Sequence, residues 1–287
     1  MPHDSGEAKR KTSHPVDVAV PWRAYGFKWI SAAYLLLIYG LPTATCAAAM
    51  QSSAGRGVIL MAAVLPVLWT LLFLTAAGVL SLPHRFAVTP GKIMRDLNSS
   101  GYFHRRLHGL CWTAIYYNKP AYFICLSIPL LKKLTFRLFG YRGSMNFTVY
   151  PDTWIRELPL LQFEDGVYVS NRATLGTNIV LHNGSLLVDG ITLGRNALVG
   201  HLAVLGPGVT LGRDTEIGVS ASVGIRTLVG ERTVVSPCSV LGHRVSIGSD
   251  VTIGIHSFVD SGAILGDGVQ LASASFIRSR QKVERTA

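Results

Sequence analysis

Glu164 and His182 stand 18 residues apart, and Asp165, Asn183 and His201 follow one another at the same interval. A carboxylate beside an imidazole fixes its tautomer and leaves the second ring nitrogen to take a proton, which is the arrangement of a general base. If the backbone returns to the same place every 18 residues, Glu164, Asp165, His182, Asn183 and His201 gather at one corner. His182 is then the base, Glu164 its orienting acid, and Asn183 and His201 contacts to an acceptor or an oxyanion. The other histidines fit less well. His243 lies beside Arg244 with no acid one interval away, His256 falls over Cys238, and His84, His104 and His108 precede the repeat.

The element that must position these residues is visible as a period. From Phe163 to Leu271 every sixth residue is apolar, nineteen in succession, and Gly follows in twelve of them. Neither a helix nor a single strand has a strict period of six, so the pattern is a structural repeat. It predicts a solenoid whose short strands stack coil upon coil, ~4.8 Å apart, with the aliphatic residues filling the bore. Gly is expected at the corners, where the chain turns tightly. The hexads run from 181 to 193 without a break, so no loop is expected to leave the coils there.

The first half of the chain is different. Of the formal charge of +11 on 287 residues, residues 1–150 carry 16 Lys and Arg against 4 Asp and Glu, and residues 151–287 carry 11 against 12. The positive charge flanks apolar stretches and forms no basic face, so nucleic acid is not an expected partner. Cys46, Cys111, Cys125 and Cys238 have no paired spacing, which argues against a disulfide framework and against a zinc motif. Charge-free runs of 27 residues between Lys28 and Arg56 and 28 residues between Arg56 and Arg85 each exceed the ~20 needed to cross a bilayer. Pro42 and Pro66 are tolerable in such helices. Lys9, Arg10, Lys11, Arg23 and Lys28 precede the first run, and Arg85, Lys92 and Arg95 follow the second, against Arg56 alone between them. That asymmetry predicts a helical hairpin of the cytoplasmic membrane with both termini in the cytoplasm. Residues 101–140 interleave aromatics with Arg and Lys and predict amphipathic helices broken at Pro120 and Pro129. These would lie in the membrane interface or pack on the end of the solenoid.

The stretch VDGITLGRNALVGHLAVLGPGVTLGRDTEIGVSASV at 188–223 resembles the hexapeptide-repeat acyltransferases. That resemblance implies a mainly β fold, a left-handed parallel β-helix behind an N-terminal transmembrane helical hairpin. It also implies that His182, in LeuHisAsn, deprotonates a hydroxyl or amine for attack on an acyl-CoA thioester, acetyl-CoA above all, with no permanently bound cofactor. Solenoids of that family assemble as oligomers, commonly trimers. A narrower likeness over about residues 85–240 is to the membrane-bound hexapeptide-repeat terminal region of some nonribosomal peptide synthetases. ThrPheArgLeuPheGlyTyrArg at 135–142, Glu157 and His182 carry it. It makes a peptide synthetase a candidate partner, beside membrane lipids, acyl-CoA and a hydrophobic or membrane-associated acceptor.

The division that follows is a basic tail over 1–27, a transmembrane hairpin over 28–84 and a juxtamembrane segment over 85–150. A solenoid over 151–276 and a polar tail over 277–287 complete it. Membrane-anchored acyl transfer is the leading expectation. A non-catalytic scaffold on the membrane is the second. A zinc hydratase of the carbonic anhydrase type is the third, and it would need a third histidine besides His182 and His201.

Overall fold

The computed structural model describes residues 22–52 and 56–284. Lys9, Arg10 and Lys11 of the basic tail and residues 285–287 lie outside them. Helices α1 (Trp22–Gln51) and α2 (Arg56–Ser81) carry the two apolar runs, and Gly26–Gln51 and Val64–Ala87 are long and apolar enough to cross a membrane. They pack through Tyr39 of α1, whose ring lies 5.0 Å from that of Phe73 of α2, and the Trp69 indole N–H donates to Thr43 Oγ1 at 3.1 Å. Three helices follow: α3 (Ser100–Tyr117), α4 (Lys119–Ser127) and α5 (Pro129–Leu138). Pro120 and Pro129 sit in the first turns of α4 and α5, where a missing N–H costs nothing. One face of this trio packs on the end of the solenoid. Trp112, Tyr122 and Phe136 join Tyr141, Phe147 and Phe163 in a single apolar core that continues along the bore. The opposite face leaves Phe123, Leu130 and Leu134 exposed.

The solenoid is a parallel prism. Its strands run from Phe147–Val149 to Lys282–Val283, starting before residue 151 and continuing past 276. Among the described residues its three faces carry seven, six and seven strands. Beyond Leu193 the pairing interval is 18: Leu211 pairs with Val229, Ile217 with Val235 and Val223 with Leu241. The side chains at these positions are almost wholly buried, as the sixfold pattern predicts.

The first coil departs from it. Phe163 pairs with Leu193, Val169 with Val199 and Leu175 with Leu205, each 30 residues apart. The additional residues leave the prism as an antiparallel hairpin of Asn178–Val180 and Leu186–Val188, to which Gly91–Ile93 adds a third strand. The excess, 30 − 18, equals two hexads, so the apolar count passes through it in phase. Leu181 and Leu187 hold hexad positions but lie outside the bore, and the expectation of an uninterrupted coil is corrected.

The corner glycines have a different reason from the expected one. A Cβ on Gly194 would lie 2.7 Å from the amide nitrogen of Arg213 in the next coil, and one on Gly218 would lie 2.6 Å from that of Pro237. Close stacking excludes the side chain. The left-handed torsions fall on Asn196 (φ 57°), Asp214 (φ 52°) and Arg226 (φ 54°). Each donates its N–H to the coil before it, Asp214 to Arg195 and Arg226 to Pro207 at 2.8 Å, which offsets the steric cost.

His108 is wholly buried between α3 and the turn after α5, with Nδ1 unpartnered and Nε2 3.4 Å from the Phe139 carbonyl. Burial pushes its pKa down to about 4. The folded protein therefore stays neutral there while the unfolded chain takes a proton below its ordinary value of 6.5. Stability from this group is present above pH 6.5 and is lost as pH falls toward 4, by about 3 kcal/mol in all. Melting of the detergent-purified protein from pH 7 to pH 5 should show this as a slope that His108→Leu flattens. An unchanged slope in the variant would refute the assignment.

Candidate active site

The hairpin presents His182. Leu181 and Ser185 close its turn, with the Leu181 N–H donating to the Ser185 carbonyl at 2.8 Å, and Gly184 takes φ +76°. The base is closed by the Asp189 N–H donating to the Thr177 carbonyl at 3.0 Å. His182 is exposed at the tip, and among the described residues its ring has no hydrogen-bond partner. A solvent-facing imidazole on a stiff hairpin can approach a substrate and take its proton.

The other predicted residues do not join it. Glu164 lies at the corner between the strands Leu161–Phe163 and Val167–Val169, and its carboxylate accepts the Arg195 N–H at 2.9 Å, tying one coil to the next. His201 is half-buried at the corner between the strands Leu198–Val199 and Val204–Leu205, with its carbonyl accepting from Ser220. Asn183 is beside His182, but its side-chain oxygen accepts from the N–H and hydroxyl of Ser185 and shapes the turn. Asp165 accepts from the Ser144 hydroxyl. The hairpin leaves from the remaining corner, so Glu164, His201 and His182 occupy three different edges of the prism. The predicted convergence is corrected: it required an 18-residue first coil.

What does adjoin the hairpin is basic. A cavity of about 270 Å³ is lined by Asn178, Val180 and Leu186 of the hairpin and by Arg95, Arg105, Arg106 and Arg156. Arg105 and Glu157 form a buried ion pair, and Thr177 donates to the second Glu157 oxygen at 2.7 Å, so the root of the hairpin is tied to α3. Burial holds the Arg105 guanidinium below its ordinary range even with Glu157 beside it. A wider cleft of about 730 Å³ lies between Arg85, Arg137 and Arg142 and the solenoid face at Gln162 and Thr192. Arg85 and Arg137 there donate to backbone carbonyls around the end of α5. Arg142 makes no such bond among the described residues.

Sequence reasoning set aside a second histidine group. His84 is buried, shares a hydrogen bond with the Tyr34 hydroxyl through Nε2 at 2.8 Å, and lies Nδ1 to Nδ1 with His104 at 2.7 Å. One of the two Nδ1 atoms must carry the proton. The tautomers of the two rings are therefore linked, since whichever Nδ1 carries the proton donates to the other. Among the described residues no group of three or more His, Cys, Asp or Glu is arranged to hold a metal ion.

No protein-family model matches the sequence, and no curated protein does. Solved structures do. A variant of perosamine N-acetyltransferase from Caulobacter crescentus, in complex with CoA and GDP-perosamine, is 18% identical with a TM-score of 0.27; the match covers 43% of this chain and 48% of that one. A hexapeptide transferase family protein from Anaplasma phagocytophilum is 18% identical, TM-score 0.24, over 43% of this chain and 69% of that one. LpxA from Acinetobacter baumannii is 12% identical, TM-score 0.26, over 50% and 71%. The chain is a hexapeptide-repeat solenoid. The stacked columns of its own sequence decide that, since TM-scores below 0.3 add no residue-level correspondence. The solenoid spans about half the length of the perosamine N-acetyltransferase chain that it matches.

Proposed function

We propose that this hexapeptide-repeat solenoid is a membrane-anchored acyltransferase that moves an acyl group from acyl-CoA to a hydroxyl or amine. His182 is its general base. The observation that carries the reading is the placement of His182: a histidine with a free ring at the tip of the hairpin that leaves the first coil, beside an arginine-lined cavity. The repeat's resemblance to acyltransferases supports the donor. The apolar helices α1 and α2 support the anchor and an acceptor that is hydrophobic or reached along the bilayer. The test is incubation of the purified full-length protein with radiolabelled acetyl-CoA and an extract of the host membrane. Label should pass to a lipid-soluble product. Hydrolysis or transfer no faster than in a protein-free control would overturn the reading.

The scaffold reading retains one supporting observation: no carboxylate orients His182 among the described residues. The same assay separates the two.

The topology has its own reporter. Cys46, Cys111 and Cys125 are buried, whereas Cys238 is exposed on the solenoid. With both termini in the cytoplasm, a membrane-impermeant maleimide should label Cys238 only after the cells are permeabilised. Labelling in intact cells would reverse the orientation. Assembly into a homo-oligomer such as a trimer is part of the proposal, and the mass of the detergent-purified protein reads it directly.

A further inference from the structure

Two cavities adjoin at helix α3. On the hairpin side is the arginine-lined cavity of about 270 Å³. The other, of about 480 Å³, runs along Phe27, Ser31, Ala32 and Leu35 of α1 and is closed by Leu110 and Thr113 of α3. Arg106 and Arg156 line both. Gly109 makes this possible: a Cβ there would stand 2.9 Å from Arg156 Nη2, so the missing side chain is what lets the guanidinium lie across the helix. Arg106 sits 4.5 Å from the centroid of the Phe27 ring.

The charge in this region is not balanced by the described residues. Glu157, the carboxylate lining the first cavity, is spent on Arg105 and Thr177. Among the described residues no carboxylate pairs with Arg95, Arg106 or Arg156. Arg105 is 5% exposed and keeps Nη1 buried without an acceptor, and Ser31 Oγ in the second cavity is buried without a partner. Buried donors left unmatched are costly, and guanidinium groups are suited to phosphate oxygens. The second cavity is mostly apolar and follows α1 from Phe27 to Leu35, within the span Gly26–Gln51, for ~12 Å along the helix axis. Trp29 beside it is 78% exposed, as an aromatic at the level of lipid headgroups is.

We propose that the two cavities together bind one anionic phospholipid. Its phosphate lies among Arg95, Arg106, Arg156 and Arg105 Nη1. One acyl chain lies along α1, and the Ser31 hydroxyl donates to its ester carbonyl. A free phosphate would satisfy the arginines and leave the apolar cavity and Ser31 unexplained. The proposal rests on α1 spanning the bilayer and is independent of acyl transfer. It also places a lipid headgroup against the root of the hairpin that carries His182.

The experiment is native mass spectrometry of the full-length protein in a neutral detergent, titrated with phosphatidylglycerol or with phosphatidylcholine of the same chains. Phosphatidylglycerol should be retained one per chain and roughly 10-fold more tightly. Arg106→Gln with Arg156→Gln should remove that preference and leave the melting temperature nearly unchanged. Should the pair fail to fold, the exposed Arg106→Gln alone must still lower phosphatidylglycerol retention several-fold relative to phosphatidylcholine. Equal retention of the two lipids, or a preference that survives the substitutions, overturns the proposal. Displacement of the lipid by micromolar pyrophosphate or CoA also overturns it, because the cluster would then serve a soluble phosphate. Alkaline carbonate extraction of the native membranes is read separately. Release of the chain would defeat the spanning reading, whatever lipid is retained in detergent.

Discussion

Replacing His182 with alanine is expected to leave the fold intact and to lower acyl transfer by roughly 10²–10⁴-fold, the contribution of a positioned general base. The fold should survive because the hairpin does not depend on the ring. Its turn is held by the backbone bonds of Leu181, Gly184 and Ser185 and by the Asn183 side chain. The loss should fall on kcat, since the imidazole acts when the acceptor proton moves. Glu164→Gln should change transfer little, because Glu164 serves the Arg195 N–H at another edge of the prism. His201→Ala should behave in the same way. His243→Ala is a further control, as its Nδ1 accepts the Ile225 N–H at 3.0 Å several coils away. Asn183→Ala is the informative neighbour: it loosens the turn and should give a partial loss. Transfer of label from acyl-CoA by each purified variant is the measurement. A His182→Ala protein as active as the parent would remove the catalytic reading, and the scaffold would replace it.

The solenoid was legible because its cause is local and repeated. Each bore position needs an aliphatic side chain, so Leu211, Ile217 and Val223 announce their faces without any knowledge of the partner strand. The hairpin was hidden because its length is a multiple of the same six, with Leu181 and Leu187 falling on the beat. A competing signal was present. AsnGly at 183–184, between NIVL and SLLV, is the turn that joins two short antiparallel strands, and Gly184 takes the positive φ that such a turn requires. The unbroken period masks that dipeptide, and the period is what places Glu164 under His182 in the sequence. The arginine cluster was not legible at all. Arg95, Arg105, Arg106 and Arg156 are brought together only by the packing of α3 on the first coil, and no spacing in the chain encodes that contact.

The ion pair at that junction carries the largest expected effect on stability. Arg105 and Glu157 are 52 residues apart, and their side chains are 5% and 4% exposed. Glu157→Leu leaves the guanidinium buried opposite an apolar group and strips Thr177 of its acceptor, so a loss of about 3–5 kcal/mol is expected. Glu157→Gln keeps one acceptor oxygen for Arg105 and turns an amide donor toward the Thr177 hydroxyl, which can rotate to accept it, so it should cost less. Arg105→Met combined with Glu157→Leu removes both charges together and should recover most of the loss, because desolvation of the pair opposes its attraction. Thermal melting in one mild detergent gives the order: parent and double variant highest, Glu157→Gln between, Glu157→Leu lowest. Glu157→Leu melting with the parent would mean that the pair is not formed. Because Thr177 anchors the root of the hairpin, Glu157→Gln should also lower acyl transfer by displacing His182, while substitutions in the distant coils should not.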